Sequence, residues 1–243
     1  MSVAGRHALV TGASRGIGLA IAMRLAHEGA RVSVISRSEV TDTPFVHARA
    51  DVSREDEVQR AFAQCRAANG EIAILVNNAG VAETAKLART STAMWERVLG
   101  TNLTGAFLCS REVFGEMTGA GWGRIVNVAS TAGLAGAPYI AAYCASKHGV
   151  IGLTRALAAE AEGSGITVNA VCPGYTDTAI LHGAIANIVA KTGRDERETR
   201  ALLAQSNPHG RIATVDEVAQ AVLDLMDGSR TGVALTVPGL AEA

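Results

Sequence analysis

Short, continuous apolar runs alternate along this chain with longer stretches in which apolar residues recur every three or four positions. A continuous apolar run is typical of a strand buried on both faces, and the three-to-four spacing is typical of a helix with one buried face. The pattern predicts strands near His7–Val10, Arg31–Ile35, Phe45–Arg49, Ile72–Val76, Arg124–Val128, Thr167–Val171 and Ala234–Thr236. It predicts helices at Gly16–His27, Glu55–Ala67, Thr101–Met117, Ala142–Glu160 and Val215–Met226.

Strands that alternate with helices predict a parallel, doubly wound α/β sheet with helices on both faces. The chain has 243 residues, 48% of them hydrophobic, which is enough for one large core. We therefore expect a single domain over residues 1–243 with about seven strands. The connection from Ile35 to Phe45 is too short and too polar for a crossover helix, and Thr41-Asp42-Thr43-Pro44 indicates a turn.

Composition narrows the possible partners. A net charge of −1 without a basic stripe gives no reason to expect a nucleic acid or an anionic membrane as a partner. No apolar run approaches the roughly 20 residues that span a bilayer, and the first residues lead directly into a strand, so we expect a cytoplasmic protein. Scattered cysteines predict reduced thiols and not a disulfide framework or a metal site: Cys65, Cys109, Cys144 and Cys172.

A glycine-rich turn follows the first predicted strand and leads into the first predicted helix. It reads Thr11-Gly12-Ala13-Ser14-Arg15-Gly16-Ile17-Gly18. Glycines in this place let the backbone approach a pyrophosphate, and the free N–H groups of a helix start favour an anion. A purely structural turn is the alternative, but the strand–turn–helix setting favours dinucleotide binding.

Tyr143 and Lys147 stand four residues apart on a predicted helix, so their side chains share one face. The Lys147 ammonium is expected to lower the pKa of the Tyr143 phenol and to make it a usable acid or base. Such pairs also occur by chance on amphipathic helices. Ser130, thirteen positions before Tyr143, strengthens the functional interpretation.

Four candidate groups fall at or just past the carboxyl ends of different predicted strands, where ligands bind in open parallel sheets. They are Gly12, Asn77, Ser130 and Pro173. We therefore expect them to converge on one cleft although they are far apart in the sequence.

With these motifs the chain resembles the short-chain dehydrogenase/reductase family, in the subgroup marked by TGxxxGxG and YxxxK, and the resemblance runs almost from end to end. It implies a Rossmann-like fold and an NAD(P)-dependent enzyme. The motif matches are Thr11, Gly12, Gly16 and Gly18 for the glycine turn, Asp51 and Val52 near adenine, Asn77-Asn78-Ala79-Gly80 after the fourth strand, Asn102, Ser130, Tyr143 and Lys147 for the catalytic tetrad, and Pro173, Gly174 and Thr178 beside nicotinamide.

The resemblance also implies roles. Tyr143 exchanges a proton with the substrate oxygen, Ser130 holds that oxygen, and Lys147 also binds the nicotinamide ribose. Asn102 completes a proton relay. The structural alternatives are an asparagine that satisfies a neighbouring carbonyl and a serine in an ordinary strand-end turn.

Cofactor choice is indicated at the end of the second strand, which reads Ile35-Ser36-Arg37-Ser38 and lacks the acid that binds the ribose hydroxyls of NAD. Arg37 and Arg15 can instead bind a 2′-phosphate, so NADP(H) is favoured over NAD(H). The alternative is that Arg37 is a solvated loop residue, and Glu39 would weaken the site if it pointed inward.

Residues 175–210 predict a helical lid over the substrate. The segments Ile185–Lys191 and Asn207–Arg211 are similar to segments of reductases and dehydrogenases that act on 3-oxoacyl or 3-hydroxyacyl groups. The favoured substrate is therefore a 3-oxoacyl thioester or a polyketide-like ketone. A small hydroxy acid or secondary alcohol is the alternative within the enzymes, and a non-catalytic nucleotide sensor is the alternative outside them. Lid cations that could bind a carrier phosphate alternate with acids, a pattern more typical of a solvated face: Lys191, Arg194, Arg197 and Arg200.

The remaining expectations concern packing. The resemblance implies a homotetramer built on the helices that carry Asn102 and Tyr143. Trp95 and Trp122 are interpreted as packing anchors and His148 as structural. For Tyr139 and Leu134, in the loop between Ser130 and Tyr143, a place in the wall of the substrate pocket is left open as one of two alternatives. The ending Val237-Pro238-Gly239-Leu240 departs from the family's double glycine.

Overall fold

The computed structural model describes residues 3–41, 43–207 and 210–238. Within them, seven parallel strands form one sheet in the order β3-β2-β1-β4-β5-β6-β7. The strands are β1 His7–Thr11, β2 Arg31–Ser36, β3 Val46–Arg49, β4 Ile72–Asn77, β5 Gly123–Val128, β6 Ile166–Pro173 and β7 Ala234–Val237. This confirms the predicted doubly wound sheet and each of its strands to within two residues.

Helices cover both faces of the sheet. They are α1 Gly16–His27, α2 Glu55–Asn69, α3 Thr92–Leu99, α4 Gly105–Ala120, α5 Ala141–Glu160, α6 Ala179–Thr192, α7 Glu196–Gln205 and α8 Val215–Met226. Alternate residues of a strand point to opposite faces. Ala8 and Val10 accordingly pack in the core beneath α1 and α8, while Leu9 packs in the core beneath α2 and α4.

The predicted helix Thr101–Met117 is correct only in part. A five-residue π-helical turn, Gly100–Thr104, precedes α4, and α3 comes directly before that turn. The sequence interpretation missed α3, which has only eight residues and spans about two turns, although Trp95, Val98 and Leu99 recur at helical spacing. Trp95 on α3 is 40% exposed, so the prediction that it is a packing anchor is wrong.

Trp122, the other predicted anchor, does pack against the core under α8. Its ring lies between two guanidinium groups, with the Arg6 carbon 3.5 Å and the Arg124 carbon 4.5 Å from the ring centre. Cations over the face of an indole are stabilised by its quadrupole. This tryptophan therefore joins the N-terminal segment to β5.

Two connections differ from a regular doubly wound sheet. Among the residues described between β2 and β3 there is no helix, as predicted; Asp42 lies outside the described residues. After β6 the chain leaves the sheet to form α6 and α7 before it returns at α8, so the predicted lid segment is helical. None of the helices described is both long and apolar enough to cross a membrane.

Candidate active site

The motif residues gather at the carboxyl edge of the sheet. Gly12 follows β1, Asn77 ends β4, Ser130 lies two residues past β5, and Pro173 ends β6. Parallel strands place these ends on one edge, which is where ligands bind in such sheets. The structure therefore places these four residues at one edge of the sheet.

The glycine turn between β1 and α1 has room only for glycine. Gly12 and Gly16 have φ of 67° and 58°, a region that favours glycine. A Cβ on Gly12 would lie 2.7 Å from Ala79 Cα, and one on Gly18 would lie 2.4 Å from Asn78 Nδ2. The backbone at the start of α1 is thus not covered by side chains, and its N–H groups can bind a pyrophosphate. The residues present fit a dinucleotide.

Thr11 and Asn78 lock this turn. Backbone N–H groups of Asn78 and Ala79 donate to Thr11 Oγ1 at 3.0 and 3.1 Å. The Asn78 side chain donates to the carbonyls of Thr11 and Gly12 at 2.9 and 3.1 Å. The segment after β4 therefore holds the turn that follows β1. The sequence interpretation gave Thr11 only a motif match and missed this role.

Tyr143, Lys147 and Ser130 meet beneath the cleft. The Ser130 side chain lies close enough to the Tyr143 phenol to lower the pKa of that phenol. Lys147 Nζ lies 5.7 Å from the centre of the Tyr143 ring and donates to Val128 O at 2.7 Å. The hydroxyl and the phenol are thus adjacent, and the amine lies behind the phenol ring.

Burial shifts both ionisable groups. Burial lowers the pKa of Lys147 to about 8, because the ammonium loses its hydration. Burial also raises the pKa of Tyr143, and the Ser130 side chain only partly opposes it. The prediction of a lowered Tyr143 pKa is therefore wrong for this structure, since loss of hydration is the largest cause and raises it.

Asn102 lies in the π-helical turn and is 2% exposed. Its Oδ1 accepts from Val81 N at 2.8 Å, and its Nδ2 donates to Val81 O at 3.0 Å and to Ser146 Oγ at 2.9 Å. The side chain thus joins the loop after β4 to the helix that carries Tyr143. This matches the structural alternative in kind, although its main partner stands 21 positions earlier and not in its own helix.

Gly80 separates Asn102 from Lys147. A Cβ on Gly80 would lie 3.3 Å from Asn102 Oδ1 and 3.7 Å from Lys147 Nζ. The last residue of the Asn77–Gly80 motif therefore leaves open space between the two polar groups.

At the opposite end of the cleft, Arg37 and Arg15 are both exposed. The Arg37 guanidinium lies 4.0 Å from the Asp51 carboxylate, and the two groups carry exposed fractions of 65% and 31%. Burial would raise the pKa of Asp51, but hydrogen bonds from Ser53 and the charge of Arg37 lower it overall. Glu39 is exposed, so the structure does not show it turned into the site.

Thr178 caps α6 through a hydrogen bond from Leu181 N at 3.5 Å. Its methyl group lies 3.7 Å from the position of a Cβ on Gly16, so the end of β6 and the glycine turn face each other. Val52, expected near adenine, packs against Gly105, where a Cβ would lie 2.7 Å away from its Cγ2. Thr178 therefore lies beside the glycine turn, whereas Val52 packs against the start of α4.

The family model described as short chain dehydrogenase matches residues 6–188. The chain belongs to this family. The dehydrogenase is 35% identical over 232 residues to a D-beta-hydroxybutyrate dehydrogenase of Rhizobium meliloti, covering 90% of each chain. It is 38% identical to the 3-oxoacyl-acyl-carrier-protein reductase MabA of Mycobacterium bovis, over 89% of this chain and 83% of that one.

A solved actinorhodin polyketide ketoreductase with NADPH superposes with a TM-score of 0.90 at 37% identity, covering 96% of both chains. Together with the family match, these similarities make the dehydrogenase an oxidoreductase that acts on secondary alcohols and ketones. The structure agrees with this activity, because the Ser130 hydroxyl, the Tyr143 phenol and the Lys147 amine lie at the same edge of the sheet as the glycine turn.

Other residues of the dehydrogenase settle smaller expectations. His148 is exposed and its Nδ1 contacts Cys144 O at 2.9 Å, which is a structural role as predicted. Leu134 packs against the buried cluster behind α5, whereas Tyr139 is 60% exposed. Arg200 pairs with Asp177 at 2.9 Å, so this lid cation has an acidic partner within the fold.

The sequence interpretation missed Asn207 and Tyr175 as individual site residues. Asn207 is 6% exposed and makes hydrogen bonds to Tyr175, and Tyr175 lies near enough to Tyr143 to help raise the pKa of that phenol. Tyr175 follows the Pro173-Gly174 pair directly, which is the signal that could have pointed to it. Asn207 carries no such local signal.

Proposed function

We propose that this protein is an NADP(H)-dependent ketoreductase whose substrate is a 3-oxoacyl thioester of coenzyme A or a carrier protein, or a polyketide-like ketone. The observation that carries the reaction is the grouping of Ser130, Tyr143 and Lys147 next to the glycine turn. The named reductases at 37% and 38% identity support the substrate class.

The nicotinamide cofactor, when bound, supplies hydride transfer to or from the substrate carbon. Ser130 donates a hydrogen bond to the substrate oxygen and holds it beside the Tyr143 phenol. The raised pKa of Tyr143 keeps that phenol protonated at neutral pH, and the protonated form is the one that donates a proton during ketone reduction. Lys147 lies behind it and would pass a proton on, while Asn102 would complete this relay by holding the segment between β4 and α5 in place.

The cofactor would be held along the carboxyl edge, with its pyrophosphate at the glycine turn and its 2′-phosphate at Arg37 and Arg15. Arg37 is available for this because an exposed ion pair such as Arg37–Asp51 contributes little, about 0–1 kcal/mol. The remaining contacts would come from the motif residues Ser14, Gly16, Ile17, Gly18, Asp51, Val52, Asn78, Ala79, Gly80, Pro173, Gly174 and Thr178, with the ribose on Tyr143 and Lys147.

A steady-state assay tests cofactor and substrate together. The rate of NADPH oxidation is measured with acetoacetyl-CoA, beside NADH as cofactor and beside free acetoacetate and a simple bulky ketone as substrates. We expect turnover chiefly with NADPH and the thioester. Faster turnover with NADH would contradict the role of Arg37, and faster turnover with the free acid or the simple ketone would contradict the acyl substrate.

A second candidate is an NAD(P)-dependent dehydrogenase of a small hydroxy acid or secondary alcohol. The observation in its favour is the 35% identity to a D-beta-hydroxybutyrate dehydrogenase over 90% of both chains. The free-acid arm of the same assay, run in the oxidative direction with 3-hydroxybutyrate, distinguishes the two candidates.

We also infer a cytoplasmic homotetramer built on α4 and α5. Phe107 on α4 is 43% exposed, and α5 exposes small residues such as Ala156 and Ala159, a surface suited to close helix packing. Light scattering at micromolar concentration is expected to give four times the 25.0 kDa chain mass. A monomeric mass would contradict the inference.

A further inference from the structure

The lid segment leaves the sheet at Tyr175 and returns at Ala213, and its two ends lie side by side. Ala213 N donates to Tyr175 O at 3.0 Å, and Asp177 N donates to Ala213 O at 2.9 Å. Thr176 and Ala213 form a parallel bridge. The two ends of the segment thus form a small extension at the carboxyl edge of the sheet, next to β6.

Asn207 fastens this junction from inside. It is 6% exposed, accepts from Tyr175 N at 2.6 Å, and donates to Tyr175 O at 2.7 Å and to Arg211 O at 2.8 Å. A Cβ on Gly174 would lie 2.2 Å from Asn207 Oδ1, so the amide packs directly on the glycine after β6. One buried side chain therefore binds both backbone groups of Tyr175 and also the backbone of Arg211, just before Ala213.

The held residue lies at the same edge of the sheet as the reacting groups. Tyr175 stands two residues past the end of β6, and Ser130 stands two residues past the end of β5, the strand paired with β6. The Tyr175 side chain is 40% exposed at this edge. A ring on a loop is a poor wall for a pocket unless its backbone is fixed. The three hydrogen bonds of Asn207 supply that fixation.

We propose that Asn207 is a positioning residue for the substrate: it holds the two ends of the lid together and so fixes Tyr175 as a wall of the pocket beside Tyr143. This inference rests on the proposed ketoreductase function.

A double-mutant cycle tests the proposal with the holoenzyme. Asn207→Ala is expected to lower kcat/KM for the ketone about tenfold or more, mainly through a higher KM, because the wall of the pocket is no longer fixed. Tyr175→Ala removes the wall itself. The double variant is then expected to be no worse than Tyr175→Ala, and effects that multiply would overturn the proposal.

Asn169→Ala is the matched control. Asn169 on β6 is also buried, donates to Leu225 O at 3.4 Å and Arg230 O at 2.8 Å, and accepts from Val233 N at 3.1 Å, which places its contacts on the connection from α8 to β7. It loses the same number of backbone hydrogen bonds as Asn207→Ala. We expect it to lower Tm while kcat/KM per cofactor-binding site stays unchanged; an equal loss of kcat/KM would mean that Asn207 acts only through stability.

Hydrogen–deuterium exchange separates this inference from the proposed function. The amide of Tyr175 is expected to exchange at least about tenfold faster in Asn207→Ala and at the wild-type rate in Asn169→Ala, since only the former loses its acceptor. If no ketone is turned over, the proposed function is contradicted, but the exchange rate of the Tyr175 amide still tests whether Asn207 holds Tyr175 in place. Unchanged exchange at Tyr175 would overturn the positioning role whatever the substrate.

Discussion

Lys147 is 5% exposed, and burial lowers the pKa of its amine from 10.5 to about 8. The unfolded chain therefore binds more protons than the folded protein between pH 8 and 10.5, so this residue makes the free energy of unfolding rise with pH across that window. Below pH 8 its destabilising effect is complete. The reduction is on the order of 3 kcal/mol. The amine that serves the reaction thus destabilises the fold at neutral pH.

Lys147→Met removes this titration. We expect the free energy of unfolding of the wild type to rise relative to that of the variant by roughly 2 kcal/mol between pH 7 and 10, while the variant is inactive. Urea denaturation of both proteins at pH 7, 8, 9 and 10 measures the difference. A difference that stays constant with pH would show that the folded pKa of Lys147 is not lowered.

Tyr143→Phe removes the phenol oxygen that is proposed to exchange the proton. We expect kcat to fall by about 100-fold or more, the usual contribution of a positioned acid or base. Cofactor affinity, followed by the fluorescence of bound NADPH, is expected to fall by no more than about tenfold, the contribution of one hydrogen bond to the ribose. Unchanged turnover would refute the assigned chemistry.

Arg37→Ala tests the proposed 2′-phosphate contact. A charge-assisted hydrogen bond contributes about 1.5–3 kcal/mol, so KM for NADPH should rise about tenfold or more while KM for NADH stays the same. Arg60→Ala is the control, since Arg60 is also an exposed arginine with an acidic partner, Asp56, 3.1 Å away. Equal changes with both cofactors would assign Arg37 to the solvated surface.

Among the elements, α5 is positioned by close backbone contacts. A Cβ on Gly133, in the 3₁₀ turn after Ser130, would lie 2.7 Å from the carbonyl oxygen of Lys147, and a Cβ on Gly149 would lie 2.6 Å from Leu103 in the π-helical turn. The turn with Ser130, the helix with Tyr143 and the turn with Asn102 therefore share two glycine contacts. Side-chain volume at these points would separate the elements.

Gly133→Ala is expected to destabilise the protein by about 1–3 kcal/mol, because the backbone of α5 cannot yield to the added methyl group. It should also lower kcat, since the turn would carry Ser130 away from Tyr143. Gly136→Ala in the same loop is the control, as a Cβ there has nothing within 4 Å. Thermal denaturation and kcat are measured for both variants. Equal losses of Tm and kcat in Gly133→Ala and Gly136→Ala would show that the contact between Gly133 and α5 does not cause them.

The elements also show what periodicity predicts. Strands such as β4 and helices such as α8 with a strong apolar pattern were found with their ends correct to within two or three residues. The short α3 was missed because its eight residues span only about two helical turns, too few for a clear repeat. The π-helical turn at Asn102 was missed because it depends on contacts with Val81 and Ser146, which lie in distant segments.

Over the whole molecule, a buried polar chain joins the two halves of the site. Asn77 Nδ2 donates to Asn127 Oδ1 at 2.9 Å and to Ser110 Oγ at 3.0 Å. Asn127 Nδ2 donates to Thr154 Oγ1 at 2.8 Å, which in turn donates to Val150 O at 2.7 Å. This chain connects β4, β5, α4 and α5, and so ties the strand before Ser130 to the helix of Tyr143.

Thr154→Val keeps the side-chain shape and removes the hydroxyl, which leaves Asn127 Nδ2 buried without its acceptor. We expect a loss of about 1–3 kcal/mol in the free energy of unfolding. Thr154→Ser keeps the hydroxyl and is expected to lose less. Urea denaturation of both variants is the measurement, and a free energy of unfolding that is unchanged in Thr154→Val would contradict a contribution from this hydrogen bond.

The sequence by itself determined the sheet, the order of its elements and the motif residues around the cleft, because hydrophobic periodicity and glycine turns are local properties of the chain. Only the tertiary structure decided the direction of the Tyr143 pKa, the partners of Asn102, and the junction of Asn207 with Tyr175. Each of these depends on burial or on contacts between residues far apart in the chain. Pro208, His209, Gly239 and Leu240 lie outside the described residues, so the expectations on the segment after Asn207 and on the C-terminal ending stay predictions. Loss of hydration depends on everything that packs around a group, and that packing exists only once the chain has folded.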